Sequence, residues 1–401
     1  GRRYFHYKMD QKMLNFYSFI SAKYQVKKEN WKGKSLEIYY HEGHEYNLER
    51  MMASMKKSLD YYAASFSPYQ FNQMRIIEFP LTHGTFAQAF ANTVPFSEGI
   101  GFIAKVDEEN PDAVDYPYAI ISHELAHQWW AHQVIGAKVK GATMLSESLS
   151  EYSSLQVLKH TYGEFQMRKF LKEALDSYLS GRAGEQFKEN PLMYNENQQY
   201  IHYNKGAVVM YAMSDFLGEQ RFNDFLKDYV GRTAFQEPPY TTSIEFVNLL
   251  KVHTPDSLQY LIKDMYETIT LYDNAIQNVK VKALANGKYQ VDIDFQMLKY
   301  RSDDKGKRSY QDSATPAISA KIGAKKLQSL PLADYVDIAV FAAAKKVGAK
   351  EVDNPIYLKK HKVTQIGNQI RIVVDEKPVE VGVDPFNKLI DTNSDDNRKK
   401  T

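Results

Sequence analysis

The sequence predicts an α+β fold in which a β layer, a mostly helical domain and a C-terminal β-sandwich-like module follow one another along 401 residues. Aromatic and β-branched runs separated by a polar loop occupy residues 1–45. In residues 46–272 the apolar side chains recur at helical spacing instead. The strand pattern returns in residues 273–401. These changes predict three domains with those boundaries.

The N-terminal part is predicted to contain two strands, FYSFISAKYQV and SLEIYY, on either side of the loop KKENWKGK. We interpret residues 1–45 as the remnant of a β domain whose beginning precedes this sequence. A helix with one apolar face is predicted after Asn47, and the strand QMRIIEF follows it and ends at Pro80. The apolar face of that helix consists of Leu48, Met51, Met52, Met55 and Leu59.

The central domain is predicted to be mainly helical. Pro117 suits the first turn of a helix that continues through YAIISHELAHQWWAHQV. Further helices are predicted at SESLSEYSSLQVLKH, FQMRKFLKEALDSYL, YNKGAVVMYAMSDFL and RFNDFLKDYV, and Gly163 and Gly218 end two of them. Thr242 and Glu245 form a capping-box pattern before FVNLL.

The C-terminal module begins with the clearest hairpin pattern of the chain. Asn286 and Gly287 separate AIQNVKVKAL from KYQVDIDFQMLKY, and this pair favours a tight turn between two strands. More strands are predicted at YVDIAVF, IYLKKHKV and QIRIVV, and a long exposed loop is predicted at RSDDKGKRSYQDSATPAISAK. The module carries no chemical motif, so we expect it to serve packing or partner binding.

Composition excludes several classes of function. The net charge of +2 is too small to indicate nucleic acid as a partner. The absence of cysteine excludes disulfides, thiolate metal sites and a cysteine nucleophile. The sequence has no run of about 18 apolar residues and no signal-peptide pattern. Because it also opens at Gly1, we expect a soluble fragment of a longer protein.

The segment HELAH is the first candidate for chemistry. His123 and His127 are four residues apart, so on a helix both imidazoles can reach one metal ion. Glu124 is displaced by about 100° around the helix, where it misses the ion but reaches a water beside it as a general base. The alternative is a helix that carries two histidines without binding a metal.

A catalytic zinc site usually needs a third protein ligand. The pattern HExxHxxGxxH does not supply one, because Trp130 occupies its glycine position and Gln133 its last histidine position. On an unbroken helix His132 lies off the ligand face, as a surface residue or a neighbour of the ligands. The remaining donors are Glu147 and Glu151, themselves four residues apart, and either one completes the site on geometry alone.

SESLSEY resembles the NEGFASY-type segment that supplies the third zinc ligand in the aminopeptidase N family of gluzincin metallopeptidases. Glu147 and Tyr152 fall on the glutamate and tyrosine of that segment. The resemblance therefore implies that Glu147 is the third ligand. The spacing from His127 is one residue longer than the family usually has, and serines replace its Asn and Gly, so Glu151 stays an alternative.

PFSEGIGFI, at residues 95–103, resembles the family segment GAMENWGLI and matches it at Glu98, Gly101 and Ile103. The family uses this glutamate to hold the free α-amino group of a substrate, so the resemblance implies that Glu98 binds substrate. Pro, Ser and Gly replace the Gly, Met and Asn of the family segment. The alternative is a loop glutamate in solvent.

YNKGAVVMY, at residues 203–211, is similar to the Y-x-K-G helix start of the family. The tyrosine of that motif donates a hydrogen bond to the developing oxyanion. The resemblance implies this role for Tyr203. Tyr200 and His202 are close in sequence and are the weaker alternatives.

A more specific resemblance covers nearly the whole chain. The stretch from HELAH to SEYSS, together with AFQEPPYTTS and VDPFNKLID, is similar to the peptidase module fused behind the membrane spans of ABC-2-type transporter permeases. It implies a parent protein anchored in a bacterial membrane, with a permease portion as partner. It also implies a thermolysin-like, mostly helical catalytic domain with a partial N-terminal β layer and a C-terminal β-sandwich-like domain.

Together these features predict a zinc metallopeptidase that uses one zinc ion and a peptide substrate. The resemblance at Glu98 favours an aminopeptidase that releases N-terminal residues. One alternative is a gluzincin endopeptidase in which Glu98 has no such role. Another is a zinc-binding but catalytically idle accessory domain of a membrane transporter. Zinc is inferred from the ligand types, and other divalent ions suit the same ligands.

Overall fold

The computed structural model describes residues 2–107, 110, 113–312, 316–322, 325–347 and 350–401. It is 36% helical and 29% strand, with several sheets, so the predicted mixture of α and β structure is confirmed. The chain divides into two compact units. The first comprises Gly1–Thr161 and Leu217–His253, and the second comprises Tyr162–Phe216 and Thr254–Thr401.

The helices follow the predicted periodicity closely. In chain order they are α1 Leu48–Ser65, α2 Tyr116–Ala126, α3 Leu149–Tyr162, α4 Met167–Ala183, α5 Gly206–Leu217, α6 Glu219–Thr233, α7 Ser243–His253 and α8 Gln259–Ile262. Wider π-helical turns lie at Met144–Ser148, Tyr200–Lys205 and Lys263–Glu267. Single 3-10 turns lie at Leu81–His83, Glu164–Gln166, Leu192–Tyr194, Asp256–Leu258 and Ser394–Asp396. None of the described helices has the length and apolar character needed to cross a lipid bilayer.

Several local predictions about the helices are confirmed. The predicted apolar face of α1 is buried, and Pro117 lies in the first turn of α2. Gly218 has a φ of +89° between α5 and α6, a conformation that glycine adopts without strain. The capping box before α7 is also present. The Thr242 amide donates to Glu245 Oε2 at 3.0 Å, and the Glu245 amide donates to Thr242 Oγ1 at 3.3 Å.

The strands, in chain order, are β1 Gln25–Trp31, β2 Lys34–Tyr40, β3 Gln73–Phe79, β4 Thr93–Ser97, β5 Thr270–Ala283, β6 Tyr289–Ser302, β7 Arg308–Ser309, β8 Ile318–Ile322, β9 Lys325–Ser329, β10 Asp334–Val347, β11 Lys350–Val363, β12 Gly367–Val374, β13 Glu380–Val383 and β14 Arg398–Lys400. The first unit contains the sheet β1-β2-β3-β4. In it, β1 and β2 form an antiparallel hairpin, and β2, β3 and β4 are parallel. Helix α1 therefore connects two parallel strands, β2 and β3.

The first predicted strand, FYSFISAKYQV, is largely wrong. Among the described residues before Gln25 none is in a strand, and β1 begins only at that residue. A strand requires a hydrogen-bonding partner as well as suitable side chains. The aromatic side chains here stay in solvent instead, with Tyr17 59% and Phe19 80% exposed.

The helix that carries HELAH is shorter than predicted. It ends at Ala126 with His127 as its C-cap, and does not continue to Val134. On a continuing helix the adjacent side chains of Trp129 and Trp130 would point about 100° apart. The turn after His127 lets both Trp129 and Trp130 bury their indoles completely, each with its N–H bonded, the first to the carbonyl of Ser67 and the second to Ser153 Oγ.

The break also changes the position of His132. It was expected off the ligand face of an unbroken helix, but it follows the break and is only 5% exposed. The surface interpretation is therefore wrong. Its Nε2 lies 3.3 Å from the carbonyl oxygen of Ala89, and burial lowers its pKa to about 4.

The second unit holds the other sheets. Their orders are β11-β10-β13-β14, β12-β6-β5 with β7 beside β6, and β8-β9. The predicted hairpin around Asn286 and Gly287 is confirmed as β5 and β6, and the three later predicted strands are β10, β11 and β12. The predicted loop at residues 301–321 is wrong in part, because it includes β7 and the start of β8. Its residues 313–315 lie outside the described residues.

Buried ionic groups hold the second unit together. Lys299 Nζ lies 2.9 Å from Asp334 Oδ1 and 3.1 Å from Asp264 Oδ2, and all three side chains are nearly inaccessible. The buried carboxyl group of Asp391, whose pKa burial raises to about 7, accepts backbone N–H groups of Asn274 at 3.1 Å and Asn393 at 3.0 Å. Buried charges and buried polar groups are tolerated only with such partners, so these contacts connect β5, β6 and β10 to the segments packed beside them.

Candidate active site

Helix α2 presents the two histidines of HELAH on one face. Asp115 caps the helix by accepting the Tyr118 amide at 3.1 Å, and the residues from Ile121 to Ala126 are buried. His123 and His127 are 8% and 7% exposed, with ring centroids 4.8 Å apart. Their Nε2 atoms are 3.1 Å apart, so the predicted pairing of these imidazoles is present.

The polar atoms nearest the other ring nitrogens indicate which tautomer each histidine adopts when neutral. His127 Nδ1 lies 3.0 Å from the carbonyl oxygen of Trp130, which can only accept a hydrogen bond. His123 Nδ1 lies 3.0 Å from Glu151 Oε1, and a carboxylate likewise accepts. Each Nδ1 therefore carries the hydrogen, and the two Nε2 lone pairs face each other.

The π turn Met144–Ser148 brings Glu147 to the same point. Its Oε2 lies 3.3 Å from Nε2 of His123 and 3.3 Å from Nε2 of His127. Glu151, one helical turn later on α3, contacts the Nδ1 edge of His123 instead. The two glutamates that the sequence left as alternatives thus lie at opposite edges of one imidazole ring.

The charges and donor atoms of this cluster suit a metal cation. Burial opposes ionisation, but Glu151 and Glu147 raise the pKa of His123 well above its usual value, and Glu147 also raises the pKa of His127. Burial likewise opposes the charge of Glu147, yet the two imidazoles hold the pKa of its carboxyl far below the usual range. The buried Oε2 of Glu147 accepts no hydrogen bond within the described structure. Two imidazole nitrogens and one carboxylate oxygen, 3.1 to 3.3 Å apart, fit a zinc ion.

Glu124 follows His123 on α2 and is only 7% exposed. Its Oε2 is buried and accepts no hydrogen bond from the described residues. Burial raises the pKa of this carboxyl, partly offset by the charges of His127 and His123. Such a group can accept and release a proton close to the three donor atoms.

Glu98 directly follows strand β4 and is not a free loop side chain. Its Oε1 accepts the Leu81 amide at 2.9 Å, and its Oε2 lies 3.9 Å from His44 Nδ1. The side chain is 21% exposed. Sequence reasoning did not identify His44 or the two residues grouped with it, His41 and Glu78. The sequence pattern that could have identified them is the run His-Glu-Gly-His at residues 41–44, in which a turn at the glycine brings two histidines together.

Tyr203 lies in the second unit, whereas the two histidines of HELAH lie in the first. It occupies the π turn Tyr200–Lys205 that leads into α5, is half-buried and has its ring 4.6 Å from that of His202. The alternatives make other contacts. The Tyr200 hydroxyl donates to Glu185 Oε2 at 2.9 Å, and His202 is 2% exposed.

Comparison with known proteins identifies a family and several relatives. The Peptidase family M1 domain matches residues 46–266. Endoplasmic reticulum aminopeptidase 2 of Homo sapiens is 28% identical over 123 residues, which are 29% of this chain and 13% of that protein. Probable aminopeptidase 1 of Sulfurisphaera tokodaii is 26% identical over 188 residues, 45% of this chain and 23% of that protein.

Glutamyl aminopeptidase of Sus scrofa is 23% identical over 216 residues, 51% of this chain and 22% of that protein. The chain thus spans less than a quarter of the length of these relatives. The family domain nevertheless covers more than half of this chain, including the HELAH helix and Glu147. With its predicted resemblance to the aminopeptidase N family confirmed, the chain belongs to peptidase family M1.

Proposed function

We propose that this chain carries the active site of a zinc-dependent aminopeptidase that removes residues from the N-terminus of a peptide substrate. The observation that supports it best is the group of three donor atoms from His123, His127 and Glu147, each 3.1 to 3.3 Å from the other two. In this proposal those three residues hold one zinc ion. Glu151 orients the ring of His123 through its Nδ1–H, as carboxylates beside metal-binding histidines commonly do.

When bound by these residues, zinc would lower the pKa of an attacking water and polarise the scissile carbonyl. Glu124 takes the proton of the attacking water and passes it to the leaving amine. The Tyr203 hydroxyl donates a hydrogen bond to the developing oxyanion. The Glu98 carboxylate pairs with the α-ammonium group of the substrate, which limits cleavage to the first peptide bond.

The choice of aminopeptidase over endopeptidase rests on Glu98 and on the relatives, which are named aminopeptidases. We extend the proposal to the fold, with a thermolysin-like catalytic domain over residues 46–272, a partial β layer over 1–45 and a β-sandwich-like domain over 273–401. A permease partner and a membrane-anchored parent stay predictions. Sequencing the gene on both sides of this segment for membrane spans tests them.

The general base is tested by Glu124→Gln, with Glu164→Gln at an exposed helix end as the matched control. We expect the first variant to keep its zinc content and to lose about 10²- to 10⁴-fold in kcat, the usual contribution of such a group. The control should keep its zinc content and its kcat. Undiminished hydrolysis by the Glu124 variant would contradict the proposal.

A pair of substrates separates the alternatives. An aminoacyl anilide with a free amine should be cleaved and its N-acetylated form should not, and Glu98→Gln should raise KM for the first. Equal cleavage of both forms would favour an endopeptidase. Full zinc content without cleavage of any peptide in a mixed pool would favour a catalytically idle accessory domain.

A further inference from the structure

We propose a second divalent-cation site in the first unit, formed by His41, His44 and Glu78 and called the turn site below. It has no residue in common with the HELAH cluster, the group formed by His123, His127 and Glu147. Nitrogen and oxygen ligand atoms of these three residues lie within 4.8 Å of one another. The inference goes beyond the proposed peptidase activity and does not depend on it.

A tight turn after β2 brings the two histidines together. The His44 amide donates to the carbonyl oxygen of His41 at 3.0 Å, which closes the turn. Gly43 has a φ of +92°, a conformation in which a side chain is strained, although no neighbouring atom would obstruct a Cβ there. The glycine thus permits the turn that directs both imidazoles to one carboxylate.

That carboxylate belongs to Glu78 on β3. His44 Nδ1 contacts Glu78 Oε1, and His41 Nδ1 lies 3.3 Å from Oε2. The His41 amide also donates to Oε2 at 2.6 Å, which holds the carboxylate in place. Tyr24 packs against the turn site. Its hydroxyl donates to the Glu78 backbone carbonyl at 2.7 Å, and its ring centroid lies 5.1 Å from that of His41.

The charge of the turn site is not balanced by a permanent cation. The Glu78 side chain is 0% exposed, and a buried carboxylate requires a compensating charge. Within the described residues its ion-pair partners are only His41 and His44. Glu98 adds a second carboxylate, whose ion-pair partner there is again His44, at 3.9 Å. A divalent ion would compensate the buried Glu78 carboxylate.

The donor types indicate which ion. Two imidazoles and a carboxylate suit zinc and the neighbouring late first-row metals, whereas calcium and magnesium prefer sites built from oxygen. Glu98 is close enough to orient His44. We therefore expect zinc to bind at the turn site and magnesium not to.

Zinc titration calorimetry near neutral pH tests the proposal on the purified chain after chelator treatment. The unaltered chain should bind two equivalents of zinc. His123→Ala with His127→Ala disables the HELAH cluster and should leave one equivalent. Adding His41→Ala and His44→Ala should remove that equivalent, whereas adding His83→Ala, an exposed histidine of the same unit, should not.

Two results overturn the turn site. One is no zinc binding by the chain whose HELAH histidines are replaced, provided that circular dichroism shows it folded. The other is an equivalent that survives replacement of both His41 and His44. Should the combined variant fail to fold, Glu98→Gln in the HELAH-disabled background replaces it. That variant is expected to weaken the remaining zinc equivalent about tenfold, as loss of a supporting carboxylate does, and unchanged affinity contradicts the proposal.

Discussion

Replacing Glu147 by Gln is expected to weaken zinc binding far more than the same replacement of Glu151. The Glu147 carboxylate lies 3.3 Å from the Nε2 atoms of both His123 and His127. Glu151 lies 3.0 Å from the other nitrogen of His123, so it contacts the ring and not the donor atoms. The two substitutions have the same chemistry and separate a ligand from a residue that orients one.

The expected difference in zinc affinity follows from the burial and the contacts of the two carboxylates. Removing one partner of a buried charge pair costs about 3–5 kcal/mol, which at about 1.4 kcal/mol per tenfold corresponds to roughly a hundredfold to a few thousandfold in zinc affinity. A carboxylate that supports a metal-binding histidine typically contributes about 10- to 100-fold. Glu151 is 29% exposed, and a glutamine there can still accept the Nδ1–H of His123, so we expect about tenfold.

Competition with a chromophoric zinc chelator measures both affinities. Both variants are compared in a chain in which the turn-site histidines His41 and His44 are replaced, so that the measured zinc affinity is that of the HELAH cluster. Thermal unfolding with and without zinc gives a second measurement, because a ligand that binds only the folded state raises its stability. Circular dichroism confirms that each variant is folded before its affinity is compared.

An equal or greater loss of zinc affinity on Glu151→Gln would refute this reasoning. It would mean that Glu151 turns to the Nε2 side when the metal is present, and that Glu147 has another role. Unchanged affinity in both variants would show that the two histidines bind zinc without either carboxylate. The second result would also remove the main support for the proposed peptidase site, whereas the first would leave a zinc site with Glu151 as its third ligand.

Three further predictions concern stability. Burial raises the pKa of Asp391 to about 7 from 3.8, so the folded state keeps this proton at pH values where the unfolded state has lost it. The free energy of unfolding should therefore fall by roughly 4 kcal/mol as the pH rises from about 4 to about 7, and Asp391→Asn should remove that slope in denaturant titrations. Lys299→Met leaves Asp334 buried without its cation and should cost about 3 kcal/mol, measured by urea unfolding, and an unchanged midpoint would contradict the network. Thr242→Ala should cost about 1 kcal/mol through loss of the α7 cap, whereas Thr242→Ser should restore it.

Local patterns predicted the parts of this protein whose contacts are local. A capping box involves residues three apart, and its two hydrogen bonds are present between Thr242 and Glu245. The histidine pair of HELAH likewise depends on one helical turn. The failures lie where distant contacts decide. The first predicted strand found no partner, and helix α2 ends at Ala126, before Trp129 and Trp130, whose indoles are both buried.

By itself the sequence determined the family, the helix that carries His123 and His127, and the short list of carboxylates able to join them. It did not decide whether Glu147 or Glu151 is the third ligand, because the two lie one helical turn apart on a segment whose position depends on packing. Only the tertiary structure assigned Glu147 to the Nε2 edge of His123 and Glu151 to its Nδ1 edge. The turn site is a second case, because Glu78 is far from His44 in sequence and meets it only where β3 pairs with β2. Spacing along a helix is a local property, whereas the edge of a ring that a carboxylate reaches depends on how separate elements pack.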